Sequence, residues 1–402
     1  MRDIDLEKRY CAPNYAPLDV VLSRGAGVWL WDSEGRKYLD GMSAYSAVSL
    51  GHGHPRILQA LCEQAERLAV VSRAFYSDVL GAFLADLCRL AGMDMALPMN
   101  TGAEAVETAI KAARRWGHEV KGIPADTAEI IVAAGNFHGR TTTIISFSSD
   151  AEYRRGFGPL TPGFRLVPFG DADALAAAIT PRTAAVLLEP IQGENGIIIP
   201  PAGYLQKVRQ ICDWANVLLL LDEIQSGLCR TGKWFAFEHE GIRPDGMMVG
   251  KALGGGVLPV SAFLGKREVM AVFTPGSHGS TFGGNCLAAA VGRETLKVMA
   301  EEELASRSAA LGQYALDRLA AMRSPTLRAV RGRGLWIGID VNPAVIGGKA
   351  LCRALMQRGL LTKETHEHTI RFAPPLIISR QDLDWALDRI EDALRWAEKQ
   401  AA

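Results

Sequence analysis

Short apolar runs alternate with amphipathic stretches along most of the chain, the pattern of an α/β protein built on a mainly parallel sheet. The spacing predicts strands over 129–134, 184–188, 217–222, 246–250 and 260–264. Each is bounded by Gly, Pro or charge and is apolar on both faces, as strands covered by helices on either side must be. Helical periodicity fills the gaps: Val106, Ala109, Ile110 and Ala113 share one face of 102–116, and Val208, Ile211 and Cys212 one face of 204–215. The alanine-rich 171–180 is helical in pattern too.

After residue 301 the texture changes to a charged, alanine-rich helix, a turn at Ser324-Pro325, a strand over 335–341 and a closing helix over 381–400. A smaller α+β domain is expected there. The first 40 or so residues carry a strand-like 27–31 and a turn at 32–35. The expected division is therefore a segment 1–45 packing with the small domain, a large sheet-centred domain 46–295 and the small domain 296–402.

Charge narrows the range of partners. The chain has 44 Lys and Arg against 44 Asp and Glu, so it lacks the basic footprint of a nucleic-acid or anionic-membrane binder. Small molecules and other protein chains are the expected partners. Purely apolar runs reach only about six residues, against the roughly 20 that a membrane-spanning helix needs. Residues 1–10 mix both charges with no apolar block, which suits a cytoplasmic protein without a leader. Seven cysteines with no C-x-x-C pair read as reduced thiols, most of them core filler.

The candidate chemistry sits at strand ends. Asp222 closes the run Leu218-Leu-Leu-Leu-Asp; a carboxylate buried there requires a cationic partner, unless the strand simply ends in water. Lys251 follows the next strand and precedes Gly254-Gly-Gly256. The carboxyl ends of strands are where open α/β sheets bind ligands, and a desolvated lysine amine attacks aldehydes readily. An acid under a pyridine nitrogen and a Schiff-base lysine are what pyridoxal phosphate requires. A phosphate cup is the third requirement, and residues 99–105 run from an apolar segment into a helix whose first N–H groups, at Gly102 and Ala103, are free for an anion. Thr101-x-x-Glu104 is equally an ordinary capping box. Phe137 and Arg140 offer a ring face and a guanidinium after a further strand, or belong to a plain loop.

The segments EPIQGENG (189–196), LDEIQSGLCRTG (221–232), GKALGGG (250–256) and HGSTFGGN (278–285), in this order, resemble the subgroup-III pyridoxal-phosphate aminotransferases of fold type I. Within that family NYAPL (14–18), SAYSAV (43–48), SRAFY (72–76), PMNTGAEA (98–105) and RFAPPL (371–376) are similar to the ornithine-using branch, more than to members acting on acetylornithine or 4-aminobutyrate. The resemblance implies a large domain with a mainly parallel seven-stranded sheet. It implies Lys251 as Schiff-base lysine and proton shuttle, Asp222 under the ring nitrogen, Gln225 near the ring hydroxyl, and Phe137 and Ile224 on the two ring faces. Thr101, Gly102 and Ala103 would form the phosphate cup, with Ser280 and Thr281 contributed by a partner subunit, hence a homodimer with shared active sites. His138 stands where animal ornithine enzymes tend to have Trp and would also border the cofactor. Arg140 and Tyr15 would take the ornithine α-carboxylate, Tyr45 would line the substrate pocket, and Glu194 would neutralise Arg371 until 2-oxoglutarate arrives.

The implied reaction moves the δ-amino group of ornithine to 2-oxoglutarate by a ping-pong route. An acetylornithine or other ω-amino-acid aminotransferase is the alternative. A cofactor-binding protein without turnover is a further one, against which the intact Lys251, Asp222 and Arg140 argue. No metal is expected: His52-x-His54 and His366-x-His368 lack further ligands at suitable spacing. Arg331-Gly-Arg-Gly334 precedes a strand, the wrong order for dinucleotide binding.

Overall fold

The computed structural model describes residues 3–401; the first two residues of the expected N-terminal segment and the last of the small domain lie outside them. Its centre is a seven-stranded sheet of β1 (Met95–Met99), β2 (Glu129–Ala133), β3 (Phe164–Val167), β4 (Thr183–Leu188), β5 (Leu218–Asp222), β6 (Gly246–Val249) and β7 (Ser261–Gly265). The spatial order is β1-β7-β6-β5-β4-β2-β3. Every residue of β4, β5, β6 and β7 is buried, which explains why these strands read as continuous apolar runs.

β7 runs antiparallel to both neighbours, with Ala262 opposite Val249 on one side and opposite Pro98 on the other. The apolar run alone carried no information on direction. The connection does: β6 and β7 are adjacent, and residues 250–260 between them are too few for the helical crossover that a parallel pair needs. The strands β6, β5, β4, β2 and β3 pair in parallel, so their carboxyl ends share one edge.

Helix α1 (Gly102–Glu119) follows β1 and buries Val106, Ala109, Ile110 and Ala113 against one face of the sheet. Helix α2 (Tyr204–Ala215) covers the other face with Leu205, Val208 and Cys212 and stops at Asn216, whose left-handed φ of +51° ends it. From 304 onwards the chain forms a four-stranded antiparallel sheet, ordered Leu327–Gly332, Ile337–Val341, Thr369–Phe372, Lys363–Thr365. Helices Leu304–Ala320, Gly348–Gln357 and Arg380–Ala401 accompany it. Near the start, Leu22–Ala26, Trp29–Asp32 and Lys37–Asp40 make an antiparallel sheet, and Leu360–Leu361 adds to Lys37–Asp40 in parallel. Among the described residues no helix is long and apolar enough to cross a membrane. Cys212, Cys229, Cys286 and Cys352 are buried thiols, Cys88 is half-buried, and Cys11 and Cys62 are exposed.

Candidate active site

The carboxyl ends of four parallel strands and the start of α1 converge on one cleft. β2 leads to Phe137 and His138, β4 to Glu189, β5 ends in Asp222, and β6 is followed by Lys251. With Gly102 and Ala103 from α1, and Ile224 and Gln225 beyond Asp222, they line a volume of about 640 Å³.

Asp222 is buried, and its Oδ2 lies 2.7 Å from Nδ1 of His138 while Oδ1 accepts the Ile224 N–H at 3.0 Å. Burial disfavours the imidazolium of His138. The hydrogen bond and charge of Asp222 outweigh that, so the imidazole pKa is raised above its ordinary value. Its Nε2 is buried without a hydrogen-bond partner. Glu189 accepts from the N–H groups of Phe137 (3.0 Å) and Gly193 (3.2 Å), and burial pushes its carboxyl up to about 7, His138 pulling the other way.

Lys251 follows extended Gly250 and has a left-handed φ of +45°, a conformation that costs a non-glycine residue roughly 1–2 kcal/mol and that clusters at functional sites. Part of its surface faces the cleft. Surrounding atoms are nonetheless close enough that burial lowers its pKa, against the charges of Glu194, Asp222 and Glu189, with Arg371 adding to the fall. The neutral, nucleophilic amine is thereby favoured.

At α1 the capping box is complete. Thr101 Oγ1 accepts from Glu104 N–H at 3.2 Å and the Glu104 carboxylate accepts from Thr101 N–H at 2.7 Å. The N–H groups of Gly102 and Ala103 have no acceptor among the described residues and remain for an anion. A Cβ at Gly102 would lie 3.0 Å from Cδ1 of Ile224, so that side chain would have to give by a few tenths of an ångström. Capping and anion binding are thus compatible in one helix start. Ser280 Oγ lies 3.0 Å from Nδ2 of Asn100, just before the cap, and Thr281 is exposed; neither lines the cleft of this chain.

Arg371, on Thr369–Phe372, is 4% exposed and has Oε1 of Glu194 2.6 Å from its Nη1. The pair is close but poorly aligned, for Nε and Nη1 remain without a hydrogen-bond acceptor. The guanidinium carbon lies 4.8 Å from the ring centre of Tyr45. Tyr45 belongs to Ser43–Ser46, four consecutive non-glycine residues with φ of +48°, +45°, +59° and +75°. Two anchors hold this turn: Asp40 Oδ1 accepts from Met42 and Ser43 N–H at 2.9 and 2.8 Å, and Ser43 Oγ donates to Ala373 O at 2.7 Å. Arg140 is exposed, with its guanidinium carbon 4.0 Å from the ring centre of Tyr153.

The structure thus brings Gly102, Ala103, Phe137, His138, Asp222, Ile224, Gln225 and Lys251 to one cleft, with Thr101 capping α1 beside it, and separately gathers Glu194, Arg371 and Tyr45. Tyr15 stands apart: it is 78% exposed and, among the described residues, makes no hydrogen bond or ring contact with Arg140. Two residues of the site were not singled out from sequence. Glu189 had a usable signal, a carboxylate directly after the six-residue apolar strand β4, the same pattern that drew attention to Asp222. Tyr153 had none, since only the fold brings it to Arg140.

A flat aromatic aldehyde with a phosphate and a basic ring nitrogen fits this donor set. The softened amine of Lys251 faces the aldehyde class, buried Asp222 suits a ring N–H, the free N–H groups of α1 suit the phosphate, and Phe137 and Ile224 provide apolar faces. That description is pyridoxal phosphate.

Comparison with known proteins agrees. The aminotransferase class-III family profile matches residues 10–394. An ornithine aminotransferase of Brevibacillus brevis is 55% identical over 395 residues, 98% of each chain. A crystal structure of the ornithine aminotransferase from Toxoplasma gondii ME49 superposes with a TM-score of 0.97 at 43% identity, covering 99% of this chain and 95% of that one. An acetylornithine aminotransferase from Elizabethkingia anophelis has a TM-score of 0.89 at 44% identity, covering 98% of both chains.

Proposed function

The chain belongs to the class-III aminotransferase family, pyridoxal-phosphate-dependent enzymes of fold type I, and on that footing we propose that it transfers the δ-amino group of L-ornithine to 2-oxoglutarate. The products are glutamate-5-semialdehyde and glutamate, formed in two half-reactions. The observation that carries the reading is the placement of Lys251 and the His138-supported Asp222 at the carboxyl ends of adjacent strands in one cleft. Identity of 55% to an ornithine aminotransferase supports the choice of donor.

Bound pyridoxal phosphate supplies an aldehyde that carries the amino group and a protonated ring that draws electrons from the carbon losing its proton. Lys251 would hold the cofactor by its aldehyde, and its lowered pKa suits the freed amine to take a proton from the donor carbon that bears the amino group and deliver it to the cofactor carbon that receives that group. Asp222 keeps the proton on the ring nitrogen, and His138 holds Asp222 in place. Gln225 serves the ring hydroxyl. Thr101, Gly102 and Ala103 cup the phosphate. Arg140 receives the ornithine α-carboxylate, with Tyr15 closing in from the N-terminal segment and Tyr45 shaping the pocket. Glu194 occupies Arg371 while ornithine reacts and releases it for the α-carboxylate of 2-oxoglutarate, a role that suits a buried guanidinium with unspent donors.

The reading extends to assembly. The chain works as a cytoplasmic homodimer in which Ser280 and Thr281 complete the phosphate site of the other copy. The exposed rings of Phe75, Tyr76 and Phe282, the last directly after Thr281, support a protein partner on this side. The chain divides into segment 1–45, large domain 46–295 and small domain 296–402. Pairing of Leu360 with Leu39 and the edge contact of Trp29 with Trp385 support grouping the first with the last.

The test is direct. Purified protein with ornithine and 2-oxoglutarate should form a semialdehyde caught by an aromatic amine trap, while N-acetylornithine and 4-aminobutyrate should react more slowly. Preference for N-acetylornithine would overturn the donor assignment and leave the aminotransferase assignment standing. Lys251→Ala should abolish turnover together with the borohydride-reducible linkage to cofactor.

A further inference from the structure

The two arginines assigned to substrate carboxylates stand in different states. Arg371 has Glu194 beside it. Arg140 has no carboxylate within ion-pair distance among the described residues, and rings take that place. Its guanidinium carbon lies 4.0 Å from the centre of the Tyr153 ring and 5.6 Å from that of Phe137. The two rings meet edge to face, with centres 6.2 Å apart and planes at 78°. An aromatic ring attracts a guanidinium through its face and leaves the N–H edge unspent. Tyr153 therefore restricts Arg140 chiefly through its ring face, and most of the guanidinium donors stay available to a carboxylate.

The platform is anchored to the loop that carries Arg140. Tyr153 lies in the turn Ala151–Arg154, whose start is capped by Asp150 Oδ1 accepting from Glu152 N–H at 2.9 Å. The preceding residues are tied to the Phe137 loop by Gly135 N–H donating to Ser149 Oγ at 2.8 Å and Asn136 Nδ2 donating to Phe147 O at 3.1 Å. Burial raises the phenol pKa of Tyr153; Arg140 opposes this and Asp150 and Glu194 add to it. The phenol is thus neutral at physiological pH, and the charge of Glu194 is felt at Tyr153.

We propose that Tyr153 is a positioning residue for donor choice: its ring holds the Arg140 guanidinium flat, so that the N–H edge is preset for the α-carboxylate of the amino donor. The proposal rests on the reading of Arg140 as the carboxylate anchor. It places selectivity for amino-acid donors over plain diamines partly in a residue that need not touch substrate.

The experiment compares ornithine with 1,4-diaminobutane, which has the same distal amine and chain but no carboxylate, in single-turnover half-reactions of the cofactor-loaded enzyme, so that a slow donor is still read. Tyr153→Ala should lower the ornithine kcat/KM roughly 5- to 30-fold, the span between an exposed and a desolvated cation–π contact, and leave the diamine within about twofold. Tyr153→Phe, which keeps the ring, should stay near native. Arg140→Ala should show the same donor selectivity more strongly, and Tyr153→Ala added to it should cost nothing further. If Arg140→Ala discriminates between donors and Tyr153→Ala does not, the role of Tyr153 is overturned while that of Arg140 stands. If Arg140→Ala lowers both donors equally, the anchor reading fails and this proposal with it. Equal losses for both donors in Tyr153→Ala alone mark a general structural effect and also overturn it.

Discussion

Glu194 and Arg371 sit 2.6 Å apart between Oε1 and Nη1, in a pair that leaves Nε and Nη1 of the arginine without a hydrogen-bond acceptor. A buried guanidinium usually spends its donors, because an unmade bond there costs about 1–3 kcal/mol. Under the proposed function, this loosely engaged pair is the one that a better-aligned substrate carboxylate would replace when the dicarboxylate follows the diamino acid.

Glu194→Ala should therefore raise the rate of the half-reaction with glutamate relative to the half-reaction with ornithine. Stopped-flow absorbance of the bound cofactor reads both. Equal changes in the two half-reactions would count against the exchange.

Asp222→Asn removes the carboxylate that raises the His138 pKa most, leaving burial, which lowers it, against the smaller effect of the Glu189 charge. The imidazole should then titrate below its ordinary 6.5, as followed by NMR of labelled histidine. Turnover should fall by several orders of magnitude while cofactor still binds, since an amide cannot hold a proton on the ring nitrogen. Near-native turnover would sink the assigned role.

The left-handed turn that carries Tyr45 depends on Asp40, which accepts two backbone N–H groups and lies 2.8 Å from Nε2 of His52. Hydrogen bonds to a charged group contribute about 1.5–3 kcal/mol each. Asp40→Ala should lower the unfolding free energy by roughly 2–4 kcal/mol in urea titrations and raise the KM for ornithine. A loss under about 1 kcal/mol would mean that Ser43 and its bond to Ala373 hold the turn alone.

Stability should depend on pH through Glu223, which lies behind Asp222 and accepts from the Ser226 hydroxyl and, at 2.9 Å, from Phe237 N–H. Burial raises its carboxyl from 4.5 to about 7. A raised carboxyl favours the folded state below its unfolded pKa, and that contribution is lost as pH climbs from 4.5 towards 7. Glu223→Gln does not titrate. The stability of wild type relative to Glu223→Gln should therefore fall by about 3 kcal/mol across that window and level off above it. A flat difference would place the carboxyl near its ordinary range.

The sequence by itself determined five of the seven central strands, the helices that begin at Gly102 and Tyr204, and which candidate residues stand at strand ends. An apolar run such as Leu218–Leu221 ending in Asp222 has few stable solutions other than a doubly covered strand with its carboxylate at the ligand edge, and the Thr101 capping box fixes where α1 begins. Those are local facts, set by side-chain periodicity and backbone hydrogen-bonding needs. The direction of β7 was not local, because a buried run is equally apolar read either way and only the short 250–260 link decides it. Nor were the side-chain contacts between distant segments around the cleft. Tyr153 meets Arg140, Tyr45 faces Arg371 through a left-handed turn fastened to Ala373, and His138 meets Asp222 from 84 residues away. Such pairs are made by packing between distant segments, whose energies outweigh the local backbone preferences that a sequence pattern records.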